Sequence, residues 1–198
     1  YLSKGLLKPA QKLARFNVQL FSEQLERDEI LVGTEPSAIL TFRDEYISLL
    51  RGDEQSRAKA LSQRTKTIEE FLADAITAGK LRKDQFTNEV KVMKVHGHCH
   101  QKALSSMAAT RKILTFPTNY RAELIPSGCC GMAGSFGYER EHYPLSMQIG
   151  QLVLFPTINE QPSEVEIVAV GTSCRHQIKD GTKRTAKHPV EILFEALL

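Results

Sequence analysis

The sequence predicts an α/β protein, a Rossmann-like parallel sheet with helices on both faces. The run of four apolar residues at 167–170 is typical of a parallel strand covered on both faces. In the second half of the chain, strand patterns alternate with helical patterns in the order β-α-β-α-β-α. The chain has 198 residues, of which 41% are hydrophobic and 25% are charged, so it can bury a core as one large α/β domain or as two small half-domains.

The first half of the chain is predicted to be mostly helical. Apolar residues at spacings of three and four indicate one face of a first helix: Leu7, Ala10, Ala14, Val18, Phe21 and Leu25. The apolar run at 30–32, which precedes Gly33, predicts a short buried strand. A second helix is predicted to begin at Pro36, because proline is tolerated in the first turn. A long helix is predicted over 57–78, with Gly79 directly after it.

The second half contains three predicted strand–helix units, and each strand ends just before a cysteine. The strands are predicted at 90–95, at 122–126 and at 167–170. Helices are predicted over 103–114 and through 145–152, and Pro189 is expected to begin the last helix. The sequence shows no clear internal repeat, although two related halves, one of them incomplete, would also fit this order.

Composition excludes several classes of protein. The net charge of +3 is spread among interspersed acidic and basic residues without a basic stripe, so nucleic-acid binding is not supported. No apolar run approaches the roughly 20 residues that span a bilayer, and the N-terminus lacks the layout of a signal peptide. The chain begins at Tyr1 and not at methionine, so we expect it to be a segment of a longer polypeptide. Four cysteines, two of them adjacent, favour a reduced, cytoplasmic setting over a disulfide framework.

The cysteines predict a metal centre. Cys99, the adjacent pair Cys129 and Cys130, and Cys174 each follow a predicted strand. The carboxyl ends of parallel strands meet at one edge of a sheet, so we expect the four thiols to converge there. Thiolates select zinc or iron–sulfur clusters.

Glycines and histidines near the cysteines are predicted to support the centre. Gly128, Gly131 and Gly134 allow close approach of the backbone, and N–H groups near the last two could donate to sulfur. The residues His96, His98 and His100 alternate, so on an extended segment they would face one side as ligands, hydrogen-bond donors or proton carriers. Supporting roles are favoured for His98 and His100, with His176 in a similar position beside Cys174. A polar loop in which the histidines cap backbone groups is the plainer interpretation, and His142 and His188 are interpreted as structural.

The glycines at 131, 134 and 137 also resemble a dinucleotide-binding run. The run lacks the G-x-G start, and two cysteines occupy the turn where phosphate would approach, so nicotinamide or flavin binding is disfavoured.

Residues 127–139 read SGCCGMAGSFGYE and resemble the CCG (cysteine-rich) domain of Fe–S oxidoreductases. That domain occurs in the heterodisulfide reductase B subunit, the glycolate oxidase iron–sulfur subunit and the C-terminus of FAD-linked D-lactate dehydrogenase-like oxidases. Residues 96–104 and 171–178 are similar to the flanking motifs of the last group, and the first half is similar more loosely. The resemblance implies that 1–88 is a first, incomplete CCG-type half without its cysteines, and that 89–198 is the second half, with the cysteine site.

The resemblance further implies an iron–sulfur electron-transfer domain, of the 4Fe-4S type, in a flavin-linked 2-hydroxy-acid oxidoreductase. Its partners would be a flavin domain or subunit, which holds FAD outside this segment, and a ferredoxin-like Fe–S domain. The segment alone would not be catalytic, and it would be cytoplasmic or membrane-associated through its partners. Ala38 stands where the family has cysteine, and Gln177 replaces the last cysteine of the family's final C-x-x-C.

Two alternatives remain open at this point. Some family members hold zinc in one CCG copy, so the segment could be a zinc-stabilised structural or docking domain without a redox role. The adjacent cysteines could also act as a dithiol pair in thiol exchange.

Overall fold

The computed structural model describes residues 1–198, which form two compact units, Tyr1–Ile68 and Glu69–Leu198. The first unit contains four helices: α1 Leu7–Gln24, α2 Pro36–Ile39, α3 Glu45–Leu49 and α4 Gly52–Ser62. Its two strands, β1 Leu31–Gly33 and β2 Thr65–Thr67, pair in parallel. Helix α1 packs against α3 and α4, and its predicted apolar face is confirmed at Ala10, Ala14 and Val18, which are buried. The prediction is wrong at its two ends, because Leu7 is exposed and Leu25 lies beyond the last helical residue.

Two predicted helices of the first half are wrong in extent. The helix expected from Pro36 is divided by a 3₁₀ turn at Leu40–Phe42 into α2 and α3. The long helix expected over 57–78 is interrupted by β2, whose two threonines are β-branched and favour a strand. A new helix, α5 Ile68–Thr77, follows β2 directly. The placement of Gly79 is confirmed, because this residue ends the helical segment with a positive φ of 68°.

The second unit is built around a four-stranded parallel sheet in the order β4-β3-β5-β6. The strands are β3 Lys91–His96, β4 Tyr120–Leu124, β5 Glu166–Ala169 and β6 Ala186–Lys187. The helices that follow α5 are α6 Cys99–Leu104, α7 Ala108–Leu114, α8 Tyr143–Leu152, α9 Leu154–Asn159, α10 Thr172–Thr182 and α11 Pro189–Glu195. Parallel sheets flanked by helices confirm the predicted α/β fold class.

Each face of this sheet has its own apolar core, because side chains alternate along a strand. Met93, Val95 and Val168 point into one core, together with residues of α7 and α11. Ile167 and Ala169 point into the other, where Cys130, Cys174 and Phe155 are also buried. The last residue of β3, His96, follows Val95 and therefore faces the core that contains the cysteines.

Other predictions for the second half are corrected in detail. The single helix expected over 103–114 is two helices, α6 and α7, separated at Ser105, whose hydroxyl donates to Glu70 Oε1 at 2.6 Å. The short strand β6 and the helix α10 were not predicted. The assignment of 1–88 and 89–198 to two CCG-type halves stays a prediction.

Candidate metal centre

Cys99 lies where β3 turns into α6. His98 caps this helix, because its Nδ1 accepts a hydrogen bond from the His100 backbone N–H at 3.2 Å. Cys99 is the first helical residue and its side chain is exposed. The segment is extended only to His96, so the expectation of three histidines alternating along one extended face is wrong: His98 is a helix cap and His100 is helical.

The adjacent pair Cys129 and Cys130 lies in the long loop after β4. Lys102, one helical turn after Cys99, holds this loop, because its Nζ donates to the carbonyl oxygens of Ser127 and Gly128 at 2.7 Å each. Directly after the pair, the Gly131 N–H donates to Cys129 Sγ at 3.3 Å. The predicted N–H donation near Gly131 is thus confirmed for the half-buried Cys129, whereas Cys130 is buried.

Gly131 itself makes this loop conformation possible. Its φ is +105°, and an added Cβ would lie 2.2 Å from the Ser146 carbonyl oxygen. The Gln177 amide donates to the same oxygen at 3.0 Å and contacts Ser146 Oγ at 2.9 Å. These buried contacts tie the cysteine loop to α8 and to α10.

Cys174 lies in the first turn of α10, directly after β5. The guanidinium of Arg175 donates to the carbonyl oxygens of Ala169 and Val170 at 3.1 and 2.6 Å, which fixes the turn from strand to helix. The ring of His98 packs against Gly171, where an added Cβ would lie 2.4 Å from His98 Cδ2 and 3.3 Å from Cys174 Sγ. Cys174 is buried, with 2% of its surface exposed.

The four thiols form a connected series from the surface inward. Each thiol lies close enough to the next to shift its pKa, in the order Cys99, Cys129, Cys130 and Cys174. At the buried end, a ring nitrogen of His96 and the sulfurs of Cys130 and Cys174 all lie within 4.8 Å of one another. The sheet therefore brings together residues that are far apart in sequence, and the cysteine-rich set could bind a metal.

The thiols polarise one another. Hydrogen bonds from Cys130 and then Cys99 hold the pKa of Cys129 far below its usual range, with the backbone N–H groups of Gly131 and Ala133 acting in the same direction. The same contacts with Cys129 raise the pKa of Cys99 and of Cys130 well above their usual range. The Cys130 thiol also lowers the pKa of Cys174 to about 5, helped by the neighbouring His96 ring. The pKa is thus lowered at Cys129 and Cys174 and raised at Cys99 and Cys130, and thiolate is the form that binds metal.

This pattern predicts the order of alkylation in the reduced, metal-free chain. We expect iodoacetamide to modify Cys129 first, because the thiolate is the reactive form and this side chain is half-exposed. Its rate should change little between about pH 8 and about pH 6, whereas an ordinary thiol of pKa about 8.5 slows roughly tenfold per unit. Peptide mapping by mass spectrometry measures both. Faster modification of the more exposed Cys99 at neutral pH would contradict this assignment.

The remaining predicted site residues, His176, Gly134 and Gly128, are all exposed. His176 is exposed, and its Nδ1 lies 2.7 Å from Tyr138 Oη. Gly134 and Gly128 are exposed in the loop around the cysteine pair. Sequence reasoning missed Lys102 and Gln177, whose side chains hold the loop, and left open the role of His96, which lies among the thiols. The sequence did contain one sign of this position: His96 is a polar residue at the end of a strand that is otherwise buried.

The donor set fits a soft metal. Sulfur and imidazole nitrogen suit zinc or iron–sulfur clusters, and no carboxylate is grouped with the thiols. The candidate ligands are Cys99, Cys129, Cys130 and Cys174, with His96 beside the two buried sulfurs. His96 ends β3, the adjacent pair lies in the loop after β4, and Cys99 and Cys174 lie in the first turns of the helices after β3 and β5, as the α/β topology predicts.

Comparison with known proteins relates the chain to dehydrogenases. It is 28% identical to D-2-hydroxyglutarate dehydrogenase of Escherichia coli K12, over 98% of this chain and 18% of that protein. It is 27% identical to the C subunit of the anaerobic glycerol-3-phosphate dehydrogenase of the same strain, over 99% of this chain and 48% of that relative. D-2-hydroxyglutarate dehydrogenase of Haemophilus influenzae is 27% identical, over 98% and 19% of the two chains.

The chain therefore spans about half or less of the length of these relatives. No family model and no solved structure matches it. No helix in the structure combines the length and apolar composition needed to cross a membrane. Similarity along the whole chain to parts of dehydrogenases supports a connection with oxidoreductases.

Proposed function

We propose that this chain is an iron–sulfur electron-transfer domain of a flavin-linked 2-hydroxy-acid oxidoreductase. The observation that most supports the proposal is the convergence of four thiols, in a series from exposed Cys99 to buried Cys174, at one edge of a parallel sheet. Iron–sulfur clusters are held by such thiolates and accept and donate single electrons.

The residues of the chain would hold the cluster and set its surroundings. Cys99, Cys129, Cys130 and Cys174 are the proposed ligands. The Gly131 N–H, which donates to Cys129 Sγ, would stabilise negative charge on sulfur, and so would the Lys102 ammonium, which contacts the same loop. Exposed Cys99 places one end of the series at the surface, where a partner's redox group can approach. At the other end, the buried sulfurs of Cys130 and Cys174 are shielded from water.

The names of the relatives support the rest of the proposal. D-2-hydroxyglutarate is a 2-hydroxy acid, and the chain matches less than a fifth of the dehydrogenase that bears its name. The other relative is one subunit of a larger dehydrogenase. We therefore propose that a flavin domain or subunit and a ferredoxin-like domain are its partners, and that substrate is oxidised outside this chain. A cytoplasmic location, with membrane association through partners, belongs to the same proposal.

A zinc-stabilised docking domain is the second candidate. One nitrogen and two sulfurs within 4.8 Å of one another at the buried end suit a single tetrahedral ion. Such a site would stabilise the sheet edge without transferring electrons.

Metal and sulfide analysis after anaerobic purification separates the two candidates. We expect iron and acid-labile sulfide in equal amounts, and a paramagnetic signal that appears on reduction. Cys130→Ser should abolish both, because it removes the thiol between Cys129 and Cys174. The control Ser173→Ala, next to Cys174 in the same helical turn, should retain them. Zinc without sulfide would favour the docking domain, and iron binding that survives substitution of every cysteine would exclude both candidates.

A further inference from the structure

The strongest unexplained feature is the imidazole of His96, at the carboxyl end of β3. Its side chain is completely buried, at 0% exposure. Nδ1 lies 2.8 Å from Ser127 Oγ, whereas Nε2 is buried without a well-formed hydrogen bond, and the ring lies beside Cys174, whose pKa it lowers. A buried polar atom that lacks a partner costs free energy, so such an atom in a well-packed core calls for a ligand or another explanation.

The surroundings of His96 supply two further ligands. Its ring nitrogen and the sulfurs of Cys130 and Cys174 lie within 4.8 Å of one another, and all three residues are buried. In a tetrahedral site with metal–sulfur bonds of about 2.3 Å, neighbouring ligand atoms lie about 3.5–3.8 Å apart. A metal ion placed among the three atoms therefore needs only a small contraction of the group.

The hydrogen bond to Ser127 orients the ring for this role. In the proposed metal-bound form, Nδ1–H would donate to Ser127 Oγ, which the 2.8 Å separation allows, and the lone pair would lie on Nε2. Histidines that bind metals almost always donate their other ring N–H in this way. The other histidines near the site are engaged differently: His98 Nδ1 accepts from the His100 N–H, and His176 contacts Tyr138.

We propose that His96 Nε2 is a direct ligand of the metal centre, together with Cys130 and Cys174, so that the centre has mixed nitrogen and sulfur coordination. This inference rests on the proposed metal centre and adds a nitrogen ligand to it. A neutral imidazole in place of a thiolate removes one negative charge, and nitrogen ligation raises the reduction potential of an iron–sulfur centre.

The test uses the 198-residue chain loaded anaerobically with iron and sulfide, and separately with Zn²⁺ alone. With histidine enriched in the heavy nitrogen isotope, electron–nuclear double resonance of the reduced cluster should show a directly coupled nitrogen. In the zinc-loaded chain, X-ray absorption should show one nitrogen at about 2.0–2.1 Å beside sulfur at about 2.3 Å. His96→Cys should keep the metal, lose the nitrogen signal and lower the reduction potential. Ser127→Ala should weaken metal affinity about tenfold or more, because it removes the orienting hydrogen bond.

A control histidine separates ligation from a loss of folding. His142 stacks on Phe136 at 4.1 Å between ring centroids and is not among the residues grouped with the buried sulfurs, so His142→Ala should leave the nitrogen signal and the affinity unchanged. A loaded centre with sulfur coordination alone, or a His96→Cys variant with an unchanged spectrum, overturns the nitrogen ligand and leaves the metal centre standing. A wild-type chain that binds neither zinc nor a cluster overturns both.

Discussion

Gly131→Ala is expected to lower the free energy of unfolding by about 2–6 kcal/mol and to abolish metal loading. Two costs combine at this residue. A left-handed φ, here +105°, strains any residue with a Cβ by about 1–3 kcal/mol. The added Cβ would also lie 2.2 Å from the Ser146 carbonyl oxygen, and overpacking of this kind costs about 1–3 kcal/mol. The backbone oxygen cannot move away easily, because Gln177 donates to it.

Gly79→Ala is the matched control for this change. Gly79 has a φ of +68° but no heavy atom within 4 Å of its added Cβ, so only the conformational cost applies. Chemical denaturation of both variants, with metal content measured in parallel, isolates the contribution of the clash. Equal losses of stability in the two variants would show that the contact with Ser146 does not constrain the loop.

His188→Ala is expected to lower the free energy of unfolding by about 3.5–7 kcal/mol. His188 caps α11, because its Nδ1 accepts from the Val190 N–H at 3.2 Å, and loss of such a cap costs roughly 0.5–2 kcal/mol. Its Nε2 lies 3.5 Å from Oε1 of Glu69, a carboxylate that is completely buried. Removal of one partner of a buried pair of this kind costs about 3–5 kcal/mol, because the polar group that remains is still in the core.

A double-mutant cycle tests that pairing directly. Glu69→Leu combined with His188→Ala should cost less than the sum of the single changes, because no buried charge is left without its partner. His142→Ala serves as the comparison: the His142 side chain is 39% exposed and contacts Glu139 at 2.9 Å, and partly exposed pairs of this kind contribute up to about 1 kcal/mol. Additive losses at Glu69 and His188 would mean that the two side chains are not coupled.

The fold class and the cysteine cluster followed from the sequence because both depend on regular topology. Apolar runs marked the three long strands, and parallel strands necessarily end at one edge, so Cys99, Cys129 and Cys174 could be grouped without coordinates. Local interruptions were harder to predict. The pattern over 57–78 remains helical in period, yet Thr65 and Thr67 form β2, because pairing with β1 outweighs a weak local preference.

The finer parts of the site depend on contacts distant in sequence. In the sequence, Lys102 is indistinguishable from an ordinary surface lysine. Only in the folded chain does the loop after β4 bring the Ser127 and Gly128 carbonyl oxygens within hydrogen-bonding distance of its Nζ. The burial of His96 depends on its register against Ala169 in β5, which no local pattern shows. His188 was interpreted as structural from the sequence, and its position as the N-cap of α11 agrees. Its contact with Glu69 could not be predicted, because the two residues are far apart in sequence and meet only in the folded chain.

The thiols lie in three separate connections, after β3, after β4 and after β5, and this separation affects how the metal centre forms. Only Cys129 and Cys130 are neighbours in the chain, and the contacts of Cys99 and Cys174 with them require long loops to close first. An unfolded chain therefore presents only one pair of thiols that the sequence itself holds together, and we expect loading to follow formation of the sheet. Bound metal then stabilises the finished fold by mass action and does not guide the chain towards it.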